Sequence, residues 1–289
     1  MRRLLAIAAA LLAAASLAVA GCGGGGSGSD KTKGLDAAGI LAGSQQAAAG
    51  VNSYRVTFNA TVQLTGGEGT IPDALAGALK NPLKVSGEGR IEGANASIDL
   101  TVPLAGIPLQ INVTKVGGGL YATILGQDYK LPVAQARVSG IQPSKLIATL
   151  LGWLENPQIV GQEKVDGVET VRLRASVDAT KAVPDVAGLV GAASKPVSAA
   201  TVAKARAQAK AALKRGDAEV WIAKTTLLPV RLVANLRLNG KLDVAPTIRS
   251  AALDLDAHFS DYGQSFGITA PANPKPLDIN RLLSLGSGP

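Results

Sequence analysis

The sequence predicts an α+β protein in which a long, twisted antiparallel sheet has one apolar face and a few apolar helices cover that face. Three observations predict this class. Several segments alternate apolar and polar residues with a period of two, glycine-containing turns separate them, and a few other segments have helical periodicity. One-sided strands that follow one another through tight turns are typical of antiparallel sheets. The expected architecture is a half-open barrel or an α+β sandwich.

The clearest alternating segment is residues 53–65, where apolar side chains occupy every second position from Tyr54 to Leu64. A strand with this pattern places one face on an apolar interior and the other face in water. The same pattern recurs at residues 94–102, 109–114, 171–177, 230–238 and 253–259. Turns are expected at residues 117–119, 166–167 and 239–240, and the last two have the Asp-Gly and Asn-Gly sequences that favour tight hairpins.

Helices are expected at residues 35–49, 72–79, 143–154 and 201–215. Gly50 and Gly216 are expected to end the first and last of them, and Asn156-Pro157 to stop the third. Proline in the first turn supports the third helix, which has one broad apolar face. The residues from 271 onward are expected to be irregular, with a last turn at 278–283. No structure is predicted for residues 181–200.

The N-terminal segment has the parts of a secretory signal. Arg2 and Arg3 precede an uncharged apolar run, and the small pair Ala20-Gly21 stands where a peptidase would cut. The run is short for a membrane-spanning helix, and no basic stop-transfer cluster follows it. Cys22 is the only cysteine, and its place after the small pair resembles the bacterial lipobox, in which the thiol receives diacylglycerol and becomes the mature N-terminus. An ordinary secreted protein with an unrelated cysteine is the alternative.

We therefore predict a signal peptide at residues 1–21, with Cys22 as the lipid anchor. The Gly/Ser-rich residues 22–34 are expected to be a flexible tether, 35–271 a single binding domain, and 272–289 a C-terminal tail. The chain length alone would also allow two small domains. Two acyl chains hold a protein stably on a bilayer, at roughly 0.8 kcal/mol per buried methylene.

The net charge of +8 falls to +6 when the signal peptide removes two arginines (8 − 2 = 6). The basic residues are spread along the chain without interleaved aromatic residues, so no nucleic-acid partner is expected. Anionic lipid headgroups are a better candidate partner for these basic residues than nucleic acid. The alternative is a solvated basic surface without a role.

Residues that could carry catalysis are scarce. His258 is the only histidine, which excludes a histidine-rich metal site. By strand alternation it shares a polar face with Asp254, Asp256 and Ser260. A Ser/His/Asp hydrolase remains an alternative. The aspartates lack the glycine-containing loop that wraps calcium. We expect no catalytic residue, no metal and no cofactor, and therefore a binding protein and not an enzyme.

Four segments carry a resemblance to a known family. They are a Ser-aromatic-x-Val strand opening at 53–56, a Gly-x-Glu-x-Val-Asp-Gly-Val-x-Thr hairpin at 161–170, a Val-Trp-Ile … Leu-Pro-Val-Arg hairpin at 220–231, and Phe-Ser-Asp-Tyr-Gly at 259–263. In this order, behind a lipobox, they resemble the actinobacterial LppX/LprA/LprF/LprG lipoprotein family, which is related in fold to the LolA/LolB lipoprotein carriers. The resemblance spans roughly residues 35–271. The Ala-rich segments within 64–116 and 181–215 depart from it.

The resemblance implies a curved antiparallel half-barrel, LolA-like, wrapped over helices around an apolar cavity. Such a cavity would take acyl chains of phospholipids or acylated glycolipids, for transport within the cell envelope from the extracytoplasmic face of the cell membrane. The implied partners are that lipid, the membrane through acylated (for example palmitate-bearing) Cys22, and a membrane lipid exporter. A non-carrier envelope lipoprotein acting as a scaffold or sensor is the alternative. The cavity-lining residues we predict are Val56, Phe58, Val62, Ile98, Leu100, Leu146, Leu150 and Trp153, and the alternative for each is a plain core residue.

Overall fold

A computed structural model describes residues 29–65, 81–104, 107–132, 142–178, 180–182, 208, 212–239 and 250–277. These residues form an α+β fold with one large sheet and few helices, as predicted. The helical elements are α1 (Ala37–Ala49), a 3₁₀ turn (Pro143–Lys145) and α2 (Leu146–Gly152). The strands are β1 (Ser53–Thr65), β2 (Leu83–Glu92), β3 (Asn95–Leu104), β4 (Ile107–Val116), β5 (Gly119–Ile124), β6 (Gln127–Lys130), β7 (Leu154–Val165), β8 (Val168–Val177), β9 (Leu213–Ala223), β10 (Pro229–Asn239), β11 (Ser250–Ser260) and β12 (Lys275–Pro276).

All twelve strands belong to one open sheet in the order β12-β6-β5-β4-β3-β2-β1-β11-β10-β9-β8-β7. Strand β1 lies in the middle and pairs with both β2 and β11, so it joins the early and late halves of the chain. The strand pairs are antiparallel, as predicted, except that β12 runs parallel to β6 at the edge. That short strand corrects the prediction that the chain is irregular from residue 271, because Lys275 and Pro276 pair with Tyr129 and Lys130.

The sheet has two distinct ends. At the tight-turn end, short turns join β2 to β3, β4 to β5, β7 to β8 and β9 to β10. Gly117 and the pair Asp166-Gly167 have positive φ there, of 55°, 49° and 83°, which confirms the turns predicted at 117–119 and 166–167. We call the opposite end, where β1 and β10 finish and β11 begins, the open end. Of the predicted turn at 239–240, Gly240 lies outside the described residues.

The first helix forms close to its predicted place. Asp36 caps it by accepting a hydrogen bond from the Gly39 amide at 2.7 Å, and the helix ends at Ala49 before Gly50. Capping of this kind satisfies one of the amides that a helix start leaves without a partner. Ile40 and Leu41 are buried against the sheet side of the molecule. The prediction of a helix at 35–49 is therefore confirmed with a start two residues later.

The third predicted helix is shorter than expected. It ends at Gly152, Leu154 already belongs to β7, and Asn156-Pro157 lies inside that strand rather than stopping the helix. Asn156 has a φ of 52°, and the register with β8 shifts between Glu155 and Gln158. A proline is tolerated because β7 is an edge strand and a bulge removes the need for its missing amide.

The prediction of a last helix at 201–215 is also wrong at the C-terminal end of that segment. Gln208 and Ala212 are helical, but β9 begins at Leu213 and includes Gly216, which pairs with Leu236. Pairing with β10 overrides the helical preference of this Ala/Lys/Arg segment. The predicted helix at 72–79 and turn at 278–283 lie outside the described residues, as does most of 181–200. Strands β2, β5 and β6 were not predicted, because glycines interrupt the alternation in that region.

None of the helices in the described ranges is long and apolar enough to cross a membrane.

Candidate functional site

The side of the sheet that packs on α1 and α2, here called the inner face, is the candidate site. Strand alternation turns Tyr54, Val56 and Phe58 of β1 towards it, and these side chains are at most 1% exposed. They form one apolar cluster with Ile40 of α1 and Ile147 of α2. The helices therefore cover the inner face as the sequence predicts.

Two glycines in β2 shape the middle of this face. Gly87 pairs with Phe58 of β1, and Gly89 pairs with Val56. A Cβ atom on Gly87 would lie 2.8 Å from Cζ of the Phe58 ring, and one on Gly89 would lie 2.9 Å from Cγ1 of Val56. The absence of side chains at these two positions makes room for the large side chains of β1.

Burial on the inner face decreases from the tight-turn end to the open end. Along β1, Val56 and Phe58 are buried, Ala60 is 8% exposed, and Val62 is only half-buried. Strand β10 repeats the trend from buried Leu232 to half-buried Leu236. Burial decreases in the same way along four other strands. The pairs of buried and half-buried residues are Phe259 and Leu253 on β11, Ile91 and Leu83 on β2, Ile98 and Val102 on β3, and Val113 and Ile111 on β4. Six neighbouring strands thus have partly accessible aliphatic side chains on this face. Five of these side chains lie towards the open end, and Ile111 lies level with Phe58 through Leu100 and Gly87.

We call six half-buried side chains of these strands the apolar rim: Val62, Leu83, Val102, Ile111, Leu236 and Leu253. All of them except Val62 pack against the central cluster. Four of them form a row across four strands, because Leu236 pairs with Leu253, Leu253 with Val62, and Val62 with Leu83. A contiguous aliphatic surface that keeps some contact with solvent is typical of a binding site for an apolar partner.

The structure brings the predicted lining residues to the same side of the sheet. Val56, Phe58, Ile98 and Leu100 are buried in the central cluster, and Leu146, Leu150 and Trp153 of the α2 region pack against it half-buried. Val62 belongs to the apolar rim. Their role in lining a ligand space remains a prediction. Cys22 lies outside the described residues.

A separate depression of about 390 Å³ lies between α1 and the start of β7. Ala38, Leu41, Ala42 and Gln45 line it on the helix side, and residues 154–157 line it on the strand side. The Gln45 side-chain amide donates to the Leu151 carbonyl oxygen at 2.8 Å, which ties α1 to α2 beside it. None of the predicted lining residues borders this depression.

Buried Tyr54 and half-buried Tyr262 lie together at the tight-turn end. Tyr54 donates its hydroxyl hydrogen to the Pro143 carbonyl oxygen at 2.9 Å, and Tyr262 donates to the Pro229 carbonyl oxygen at 2.7 Å. Their ring centroids are 6.3 Å apart. Burial raises the pKa of both phenols well above the usual value. Both phenol hydroxyl groups therefore have a hydrogen-bond partner at this end.

Lys115 is a charged side chain on the otherwise aliphatic inner face. It is 4% exposed and donates from Nζ to the carbonyl oxygens of Ala94 and, at 3.5 Å, Gly117 in two adjacent turns. Desolvation by burial lowers its pKa. The ammonium group thus caps turn carbonyls at the tight-turn end.

The outer face carries a charged network centred on Trp221. The guanidinium groups of Arg172 and Arg231 lie 5.0 and 4.9 Å from the Trp221 ring centroid, and its indole Nε1 donates to Glu163 Oε1 at 2.7 Å. The two cation–π contacts and the indole hydrogen bond stabilise this packing.

Glu219 lies beside this network and accepts hydrogen bonds from Arg172 Nε and Arg174 Nε, both at 2.9 Å. Burial raises the pKa of the Glu219 carboxyl group, but the hydrogen bonds and charges of the two arginines outweigh burial and hold the pKa below its usual value. The carboxylate is therefore ionised at neutral pH and holds β8 to β9.

His258 lies on the outer face, as the alternation predicts. Its Nδ1 is 2.8 Å from Asp166 Oδ2 in the β7–β8 turn, and its Nε2 is 3.6 Å from Asp256 Oδ1. Asp256 is itself held by Arg231, whose Nη2 donates to it at 2.6 Å. The described contacts of the imidazole are thus with carboxylates that belong to a structural ion-pair network, and they provide no hydroxyl nucleophile.

The sequence interpretation missed most of the apolar rim. Val102, Ile111, Leu236 and Leu253 were recognised as apolar strand positions but not as site residues, and Leu83 lies in the unpredicted β2. The signal that could have found most of them is position along the strand, because burial decreases with distance from the tight turns.

Comparison with known proteins gives the following matches. The crystal structure of LprF from Mycobacterium bovis is similar, with 17% identity, a TM-score of 0.47, and coverage of 81% of this chain and 96% of that chain. Lipoprotein LppX from Mycobacterium tuberculosis has 16% identity, a TM-score of 0.39, and coverage of 80% and 98%. A LolA superfamily protein from Nitrosomonas europaea has 10% identity, a TM-score of 0.26, and coverage of 82% and 98%.

A sequence search of curated proteins found no match. The model of the LppX_LprAFG lipoprotein family matches residues 36–257, which span α1 and the strands from β1 into β11. The match covers more than half of the chain and includes the inner face and its apolar rim. The chain belongs to the LppX_LprAFG lipoprotein family.

Proposed function

We propose that this protein is a membrane-anchored lipoprotein that binds the acyl chains of a phospholipid or acylated glycolipid at the inner face and helps to transfer that lipid within the cell envelope. The observation that carries the proposal is the burial gradient, which leaves the aliphatic residues of the apolar rim half-buried at one end of the sheet. A folded domain normally covers such a surface unless a partner uses it.

The chemistry of the rim favours an acyl chain. Its six side chains are Val, Leu and Ile, which offer dispersion contacts and no hydrogen-bonding group. Burying a methylene group on such a surface is favourable by about 0.8 kcal/mol, so a chain of many methylenes would bind without any polar contact. A headgroup at the open end would stay in water.

The anchor part of the proposal rests on Cys22. The sole cysteine stands behind a signal-like segment in a chain that belongs to a lipoprotein family. Acylation there would hold the domain on the extracytoplasmic face of the cell membrane, beside a supply of its ligand. A membrane lipid exporter is the candidate protein partner at that location.

The first experiment tests lipid binding directly. The Cys22→Ser chain, which keeps the signal segment for export but has no thiol to acylate, is purified from its own host, and an organic extract is analysed by mass spectrometry. We expect one or more diacyl lipids in stoichiometric amounts. Absence of lipid from the extract, combined with failure to take up a fluorescent phospholipid from vesicles, would exclude the carrier function. Protein partners found by crosslinking in that case would support the scaffold or sensor alternative.

The second experiment tests the apolar rim with two neighbouring residues. Val62 points to the inner face and Gln63 to the outer face, because successive strand residues alternate. Val62→Glu places a charge in the rim and is expected to reduce phospholipid uptake by about tenfold, which corresponds to roughly 1.4 kcal/mol. Gln63→Glu is the matched control and should leave uptake unchanged.

Val62 is half-buried, so Val62→Glu is expected to fold, and a thermal melt verifies it. If this variant does unfold, Leu236→Glu replaces it, since Leu236 is also half-buried at the rim. Equal uptake by the folded rim variant and the control would show that the rim is not the binding surface.

A further inference from the structure

The turn between β5 and β6 carries the most exposed large apolar side chain among the described residues. Leu125 is 82% exposed, whereas the next such side chain, Ile159, is 47% exposed. Leu125 and Gly126 are the two central residues of the turn, and Ile124 pairs with Gln127 across it. Strand β5 begins at a tight turn, so the β5–β6 turn lies at its other end, on the side of the open end.

The backbone conformation of this turn is unfavourable for leucine. Leu125 has a φ of 51° and Gly126 a φ of 75°, which is close to the conformation of Asp166-Gly167, where φ is 49° and 83°. Two-residue hairpin turns with positive φ at both positions favour Asn-Gly or Asp-Gly, because a left-handed conformation is costly for most residues that have a Cβ atom. Leucine at this position therefore destabilises the folded chain twice, through its backbone conformation and through its contact with water. Sparsely populated conformations of this kind cluster where function requires them.

The side of the turn that faces the rest of the sheet is aliphatic. Strand β5 pairs with β4, and Ile124, next to Leu125, lies opposite Ile111 of the apolar rim. On the neighbouring hairpin, Pro103 of β3 pairs with Pro108 of β4, and both prolines are exposed. The exposed leucine is therefore continuous with the surface proposed to bind acyl chains.

The charges around the turn fit phospholipid headgroups. From residue 100 to 127 the chain carries one charge, on Lys115, which is buried at the tight-turn end. Lys275 of β12 is exposed on the edge side of the turn and donates from Nζ to Gln127 Oε1 at 2.6 Å. Asp128, the acidic residue of the hairpin, accepts a hydrogen bond within the hairpin. An apolar tip beside a basic side chain matches the acyl region and the phosphate groups of a bilayer.

We propose that the β5–β6 turn docks the protein on a phospholipid bilayer, with Leu125 inserted among the acyl chains and Lys275 at the level of the headgroups. This inference goes beyond the proposed function, because Leu125 lies outside the apolar rim and its insertion requires no lipid to leave the bilayer. Docking at this turn also brings a supply of acyl chains next to Ile111 of the rim.

Co-flotation with vesicles of phosphatidylcholine and phosphatidylglycerol tests docking with the soluble Cys22→Ser chain, which has no lipid anchor. Leu125→Asn is expected to lower the partition coefficient onto the vesicles about tenfold, which corresponds to roughly 1.4 kcal/mol. Asparagine tolerates the left-handed conformation, so the same variant should unfold at a higher urea concentration than the wild type. Weaker binding by a more stable protein excludes unfolding as the cause.

Ile159→Asn is the matched control for this change. Ile159 is also an exposed aliphatic side chain, but it lies on β7, at the opposite edge of the sheet. The control variant should bind the vesicles as the wild type does, and a thermal melt verifies that it is folded.

A fluorescent label identifies the inserted residue directly. Leu125→Cys or Ile159→Cys is introduced into the Cys22→Ser chain and labelled with an environment-sensitive nitrobenzoxadiazole group. When vesicles are added, emission from position 125 should shift to shorter wavelength and be quenched by doxyl groups on the acyl chains. Emission from position 159 should not change.

Equal vesicle binding by Leu125→Asn and the control, or unchanged emission from position 125, would overturn the inference. Equal binding together with a protein captured by a photo-crosslinker at position 125 in the host would assign the turn to a protein contact instead. Failure of the proposed function gives a different result, because the chain would then dock through Leu125 but take up no fluorescent phospholipid.

Discussion

Replacing Gly87 by alanine should destabilise the protein strongly, because this glycine lets β1 and β3 approach the middle of β2. A Cβ atom at this position would overlap the carbonyl oxygen of Asp99 and lie 2.8 Å from Cζ of Phe58. An aromatic ring can tilt away, but a backbone carbonyl moves only if β3 moves. Alanine is ordinarily better than glycine in a strand by about 0.5–1 kcal/mol. Overpacking typically costs about 1–3 kcal/mol, and the overlap with a backbone carbonyl favours the upper end of that range. After the gain from alanine we expect a net loss of about 2 kcal/mol in the free energy of unfolding.

Urea unfolding of the soluble Cys22→Ser chain measures this loss. Gly152→Ala is the matched control, because nothing lies within 4 Å of its Cβ position at the end of α2, and it should be neutral or slightly stabilising. Adding Phe58→Leu to Gly87→Ala separates the two contacts, since it relieves the ring contact and leaves the overlap with Asp99. We expect no rescue. Wild-type stability of Gly87→Ala, or full rescue by Phe58→Leu, would refute the reasoning.

Three further changes test the ends and the outer face of the sheet. Tyr54→Phe should cost about 1 kcal/mol through the lost hydrogen bond to Pro143. The raised phenol pKa also makes the wild type lose stability as pH rises above the unfolded value of 10.0, so the variant should show a smaller loss in alkaline urea titrations. Glu219→Gln should cost about 1 kcal/mol at pH 7 and flatten the stability loss that accompanies acidification below pH 4.5, because the wild-type carboxyl pKa is lowered. Trp221→Phe should lower stability by about 1–2 kcal/mol, measured by thermal melting, because it removes the indole hydrogen bond to Glu163.

Strand alternation alone was sufficient to predict the two faces of the sheet. Tyr54, Val56 and Phe58 of β1 are buried, as the period of two requires. His258 lies on the charged outer face. Alternation carries this information because register and burial are coupled in a one-sided strand. The Asp166-Gly167 turn was predictable for a similar reason, since its positive φ angles demand that local chemistry.

Elements whose structure depends on distant pairing could not be predicted in the same way. Asn156-Pro157 reads locally as a helix stop followed by a loop, yet it lies in β7 because β8 provides a partner and the sheet edge tolerates proline. Residues 213–216 read as the end of a helix and become β9 by pairing with β10. The glycines of β2 obscure its alternation, although their function is to accommodate Phe58 and Val56.

The two ends of the sheet differ in a way that connects stability to function. At the tight-turn end, the hydroxyl groups of Tyr54 and Tyr262 and the ammonium group of Lys115 have hydrogen-bond partners, so their burial costs little stability. At the open end, several aliphatic side chains of the apolar rim are only half-buried. Fully burying one such side chain contributes about 1.5–3 kcal/mol, so leaving several half-covered is costly in a marginally stable domain. A ligand that completes this burial would raise stability with its concentration, and thermal melting with and without a bound phospholipid measures that coupling. Phospholipid should not raise the melting temperature of a rim variant such as Val62→Glu, whereas it should still raise that of the control Gln63→Glu. This measurement connects the open end with lipid binding independently of any transport assay.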